Sequence, residues 1–183
     1  RDRFSFTPAK LDDHKALARI PHFHNIFTTN YDTLLEDSYS KDLCQVIRKD
    51  ADCAYLDKNK PVKVFKIHGD FTNQDYVVIT SSDYDGFFKH NYNKVMWDVV
   101  KNDFLTKHIL FLGYSLGDNN IINIIQNISK SINRNQKDMF LIAPKIGKGN
   151  QERLKKMKVT YYDAYASDFL TELKRNLDAN IGK

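Results

Sequence analysis

Three places in this 183-residue chain set side chains able to bind a ligand or move a proton directly after an apolar run. The first is FTTNYD, residues 27–32, where the hydroxyls of Thr28 and Thr29, the carboxamide of Asn30 and the carboxylate of Asp32 follow Asn25-Ile26-Phe27. The second is His68-Gly69-Asp70 after VFKI, and the third is Gly113-Tyr114-Ser115 after ILFL, with Asp118 three residues further on. Histidine is the side chain most readily poised to accept a proton near neutral pH. Asn30 both donates and accepts hydrogen bonds, which suits orienting a ribose hydroxyl or a water. A glycine where a strand opens into a helix lets backbone approach a ligand, and Ser115 can bond a phosphate or ribose oxygen.

Each of these has a plainer structural reading beside it. His68 reads equally as a histidine satisfied by a neighbouring carbonyl. Asn30 reads as a helix cap or an Asx turn leading to Asp32. Gly113 with Ser115 reads as a loop glycine with a capping serine, and Asp118 as the cap of the isoleucine-rich helix that follows.

The elements that must position these turns follow from pattern. Residues 24–28, 44–48, 62–67, 76–79, 109–112, 139–142 and 159–162 read as strands, being short, apolar and rich in β-branched or aromatic residues. Helices are predicted at 7–20 with Thr7 as cap and Pro8 in the first turn, at 32–39, at 81–90, at 92–107, after Asp118, at 150–157 and at 167–177. The polar stretch 49–61 reads as irregular. The run Ile109-Leu110-Phe111-Leu112 is apolar throughout, as a central parallel strand is. Strand and helix alternate for most of the length, which predicts an α/β fold with a Rossmann-like, doubly wound, mostly parallel sheet. Its carboxyl edge carries the three polar turns side by side, the usual place for a ligand in such a sheet.

Composition narrows the function classes. At 42% hydrophobic and 13% aromatic the chain fits one domain with a sizeable core. No apolar run approaches the ~20 residues that cross a bilayer, so no membrane partner is expected. Cys44 and Cys53, nine positions apart, form neither a four-thiolate zinc site nor a Cys-x-x-Cys pair, and read as reduced thiols of a cytoplasmic protein. The net charge of +5 is spread over lysine-rich segments at 58–60, 145–148 and 153–158. That reads as solvated surface rather than the gathered patch of a nucleic-acid binder. The opening Arg1-Asp2-Arg3-Phe4 has no initiator Met and reads as the middle of a longer protein.

Taken together, the order TTNYD, HG, GYS resembles the sirtuin-like NAD-consuming family, and the wording FTTNYDTLLE with LGYSLGD is similar to bacterial sirtuin-like domains of anti-phage defence proteins. The resemblance spans residues 25–144. It implies that NAD is the substrate, that Asn30 positions a water or ribose group, and that His68 engages the nicotinamide ribose as base. It places Thr28, Thr29 and Asp32 on the ribose and nicotinamide side, and Gly113, Tyr114 and Ser115 near the adenosine half. The family's Gly-Ala-Gly-x-Ser opening is absent, so the N-terminal strand and the diphosphate loop are expected outside this chain. The four zinc cysteines of deacylating members are absent as well, so protein deacylation and a metal are not expected. Ala143-Pro144 stands where an adenosine-contacting Asn often lies in the family, and no adenine contact is assigned there.

The expected activity is cleavage of NAD to nicotinamide and ADP-ribose, depleting NAD in abortive infection. A need for restraint follows from that chemistry: a homo-oligomeric contact, a regulatory domain or a phage-derived activator is expected to control it, with the aromatic segment 84–92 as a candidate surface. The alternative is a non-catalytic module that senses NAD or an ADP-ribose derivative for a partner domain.

Overall fold

A computed structural model describes residues 11–69, 71, 94–114, 122, 125–126 and 137–181. Thr7 and Pro8, the strand at 76–79, the helix at 81–90, Asp70, Ser115, Asp118 and the aromatic segment 84–92 lie outside the described residues. The chain divides into two compact units, residues 1–98 and 99–183.

In the first unit, helix α1 (Asp12–Ala18) precedes strand β1 (Asn25–Thr28), helix α2 (Leu34–Ser38), strand β2 (Cys44–Ile47), helix α3 (Asp50–Cys53) and strand β3 (Val62–Lys66). The strands form a parallel sheet in the order β1-β3-β2. Thr28 pairs with Lys66 and Ile47 with Phe65, so β1, β2 and β3 end at nearly one level. Parallel neighbours need crossover connections, which α2 and α3 supply. As the centre of this sheet β3 is covered on both faces, and Val64, Phe65 and Lys66 are all buried in succession. On one side Tyr39, Cys44, Val62 and Val64 pack with Ala18, Ile26, Leu35 and Val46. The rings of Phe27 and Phe65 stack with centroids 4.8 Å apart. Burial pushes the Cys44 thiol and the Tyr39 phenol up from their ordinary values, the phenol to about 12, so both groups are held neutral.

The polar stretch 49–61 is less irregular than its composition suggests, because α3 forms inside it. The Asp52 carboxylate accepts the amides of Arg48 (2.8 Å) and Lys49 (3.3 Å), and four residues are too few for a helical period to register. Asp50 accepts the amides of Val95 (3.1 Å) and Met96 (3.0 Å), satisfying first-turn donors of helix α4 (Lys94–Thr106).

In the second unit strands β4 (Ile109–Leu112), β5 (Met139–Ile142) and β6 (Val159–Tyr162) form a parallel sheet in that order, with helix α5 (Lys148–Lys156) between β5 and β6 and helix α6 (Ala166–Ile181) after them. The parallel α/β class expected from the sequence is borne out, since every strand pairing among the described residues is parallel. Among the described residues β5 takes the centre, with Met139, Leu141 and Ile142 buried, while β4 pairs on one side only and all four of its residues are half-buried. An apolar run reports burial but does not order strands. Among the described residues β1 and β3 are neighbours in one sheet, and β4 pairs within the other.

Candidate functional site

At the carboxyl edge of the first sheet the ends of β1 and β3 turn away side by side. The Ile67 amide donates to the Thr28 carbonyl (3.0 Å), carrying the ladder one step past the strands. Beyond it the Phe71 amide donates to the Tyr31 carbonyl (3.3 Å), so the two turns remain joined where regular pairing has ended. Tyr31 lies against both sides of the second turn, its ring 5.3 Å from that of Phe71 and 6.4 Å from that of His68.

Within the first turn the side chains hold the backbone rather than point at random. The buried Thr28 hydroxyl accepts the Asn30 amide (3.0 Å), and the Asp32 carboxylate accepts the Leu34 amide (3.1 Å), a turn that leads into α2. The Asx turn that the sequence offered at Asn30 is made by Asp32. Asn30 differs: its backbone is fixed by Thr28, yet its side chain is exposed, and among the described residues no group engages the carboxamide. Thr29 is half-buried.

Thr28→Val keeps the β-branched shape and removes the acceptor for Asn30. We expect it to lower stability by about 0.5–1.5 kcal/mol, read by denaturant melting, because one partly buried hydrogen bond is lost.

His68 is 4% exposed, between the end of β3 and Gly69. Gly69 has φ +76°, which a residue with a side chain adopts only with strain, and its amide donates to the Lys66 carbonyl (3.0 Å), closing the turn that holds His68. Asn30 and His68 are thus placed on adjoining turns, the one presented to solvent and the other sheltered.

Two further residues of this edge escaped sequence reasoning. Lys66 ends β3 and is fully buried; its ammonium donates to the Asp32 carbonyl and lies 3.1 Å from the Glu36 carboxylate on α2. The signal was a lysine inside the apolar VFKI run, on a strand buried from both sides.

The third turn belongs to the second unit and is described by itself. Gly113 has φ +62°, and its amide donates to the Ile142 carbonyl (3.3 Å) at the end of β5. The Tyr114 ring lies 5.9 Å from Phe111. A methyl group at Gly113 would meet nothing within 4 Å. Gly113→Ala should accordingly cost about 1–2 kcal/mol by backbone strain alone, a shift visible in thermal melting. Among the described residues no three His, Cys, Asp or Glu side chains converge in a set suited to a metal ion, and no helix is long and apolar enough to cross a membrane.

Residues 24–162 match the SIR2-like domain family. The chain is 34% identical over 141 residues to the NAD(+) hydrolase ThsA of Enterococcus faecium, a match that covers 76% of this chain and 29% of that protein. It is 28% identical over 158 residues to the protein of the same name from Cytobacillus dafuensis, covering 85% of this chain and 31% of the relative. With the Defense-associated sirtuin 2 of Bacillus subtilis it shares 32% identity over 121 residues, covering 63% of this chain and 11% of the relative. The chain therefore spans less than a third of the length of these curated relatives.

Proposed function

The chain belongs to the SIR2-like domain family, and from that premise we propose that it hydrolyses NAD to nicotinamide and ADP-ribose at the turns after β1 and β3. The observation that carries the reading is the placement of Asn30 and His68 on adjoining turns, one exposed carboxamide beside one sheltered imidazole. Relatives that bear the name NAD(+) hydrolase support it.

The bond to be broken joins the ribose C1′ to the nicotinamide ring nitrogen. As it breaks, its electron pair returns to the ring nitrogen, which leaves neutral and needs no proton. Positive charge develops on the sugar, a water oxygen bonds to C1′, and the proton that this water sheds passes to solvent. Asn30 holds that water by donating to it or accepting from it, and His68 holds or deprotonates a ribose hydroxyl. Thr28, Thr29 and Asp32 shape the ribose and nicotinamide side. Gly113, Tyr114 and Ser115 serve the adenosine half.

The chain acts as one NAD-binding and hydrolysing domain of a longer cytoplasmic protein. Its role is NAD depletion in abortive infection, an anti-phage defence, supported by the relative named as a defence-associated sirtuin. An activity of this kind requires restraint, and a homo-oligomeric contact with a regulatory domain or a phage-derived activator supplies it.

Product analysis tests the reaction. Incubation of the full-length protein with NAD should give nicotinamide and ADP-ribose in equal amounts with no acylated peptide present. NAD that binds and is recovered intact would favour a sensing module instead.

A further inference from the structure

We infer that Lys66 and Glu36 form a buried positioning pair that sets the Asn30 turn against the His68 turn. Lys66 is bonded to both turns: its carbonyl accepts the Gly69 amide that closes the His68 turn, and its ammonium donates to the Asp32 carbonyl in the Asn30 turn. A fully buried ammonium is tolerated only when an anion and hydrogen-bond acceptors compensate it. Glu36 is that anion, 3.1 Å away with its side chain 11% exposed. Among the described residues neither Glu36 oxygen accepts a well-aligned hydrogen bond, so the contact with Lys66 is chiefly ionic.

Glu36 stands on α2, just beyond Asp32, whose carboxylate accepts the Leu34 amide at the start of that helix. The ammonium therefore draws two points of the same loop and helix toward the end of β3. A hydrophobic residue in place of Lys66 could fill the space, but it could not fix the Asp32 carbonyl. The positions of Asn30 and His68 relative to each other would then rest on the Ile67-to-Thr28 and Phe71-to-Tyr31 bonds and on ring packing.

The turnover readout rests on the proposed NAD hydrolysis; a second readout does not. In the full-length protein we would compare Lys66→Met with the double variant Lys66→Met, Glu36→Gln. Lys66→Met alone should melt lower, because Glu36 is left as an uncompensated buried charge, and the double variant should recover most of that loss. Both should nevertheless release nicotinamide about tenfold or more slowly in kcat, with KM within about threefold of the parent, since Asn30 is displaced and not removed. Backbone amide exchange at Asn30, Leu34 and Phe71 should be faster in the recovered double variant by about tenfold, whatever its turnover.

A pair that serves stability alone would give back kcat together with melting temperature, and that result overturns the inference. Unchanged amide protection in the double variant overturns it as well, even if the parent releases no nicotinamide. An inactive parent that shows the exchange difference would instead sink the NAD hydrolase reading and leave the positioning pair standing.

Discussion

We expect Asn30→Ala to lower nicotinamide release by roughly 10²–10⁴-fold, the range lost when a positioned catalytic side chain is removed. The melting temperature should stay within about 2 °C of the parent, as for an exposed side chain outside the packed core. The second half of the expectation is what the structure adds. The bond that holds Asn30 in the turn runs from its backbone amide to the Thr28 hydroxyl, and alanine keeps that amide. The carboxamide itself is exposed, so truncation removes chemistry and little packing. Steady-state turnover and a thermal melt on the same preparation check both halves. A variant that loses activity by unfolding would show that the turn depends on the carboxamide after all.

His68→Ala should also remove turnover by roughly 10²–10⁴-fold, through loss of the proton-accepting ring. Its effect on stability is different. The ring is 4% exposed and packed toward Tyr31, so truncation opens space, at about 1–3 kcal/mol. A protein of ordinary stability, about 5–15 kcal/mol, remains folded after that loss. His68→Gln separates the two effects: it keeps hydrogen bonding and much of the volume while lacking an imidazole. It should regain part of the lost melting temperature and none of the lost turnover. Turnover of more than about a tenth of the parent's in His68→Gln would remove the base from the mechanism.

Both turns were legible because their physical signatures are local. An apolar strand ending in Thr-Thr-Asn and another ending in His-Gly announce where backbone leaves the sheet, and the positive φ of Gly69 and Gly113 is what a glycine at such a point permits. The parallel class was legible from the alternation of strand and helix, and most strand bounds fell within a residue of those expected. What could not be read depends on placement in space. Lys66 and Glu36 are 30 positions apart, and nothing local says that an ammonium on one strand will meet a carboxylate on a crossover helix. The four-residue α3 is held by local bonds from the Asp52 carboxylate to the Arg48 and Lys49 amides, and is too short to leave a periodic trace.

The central claim is that the turn after β1 carries the chemistry of NAD cleavage. Nicotinamide release by the full-length protein, measured beside Asn30→Ala with NAD binding followed in the same samples, tests it most directly. The account predicts release by the parent, loss of release in the variant, and NAD binding within about threefold in both, because the removed group acts on the reaction more than on binding. Equal release from both proteins would contradict it, as would a parent that binds NAD and never cleaves it.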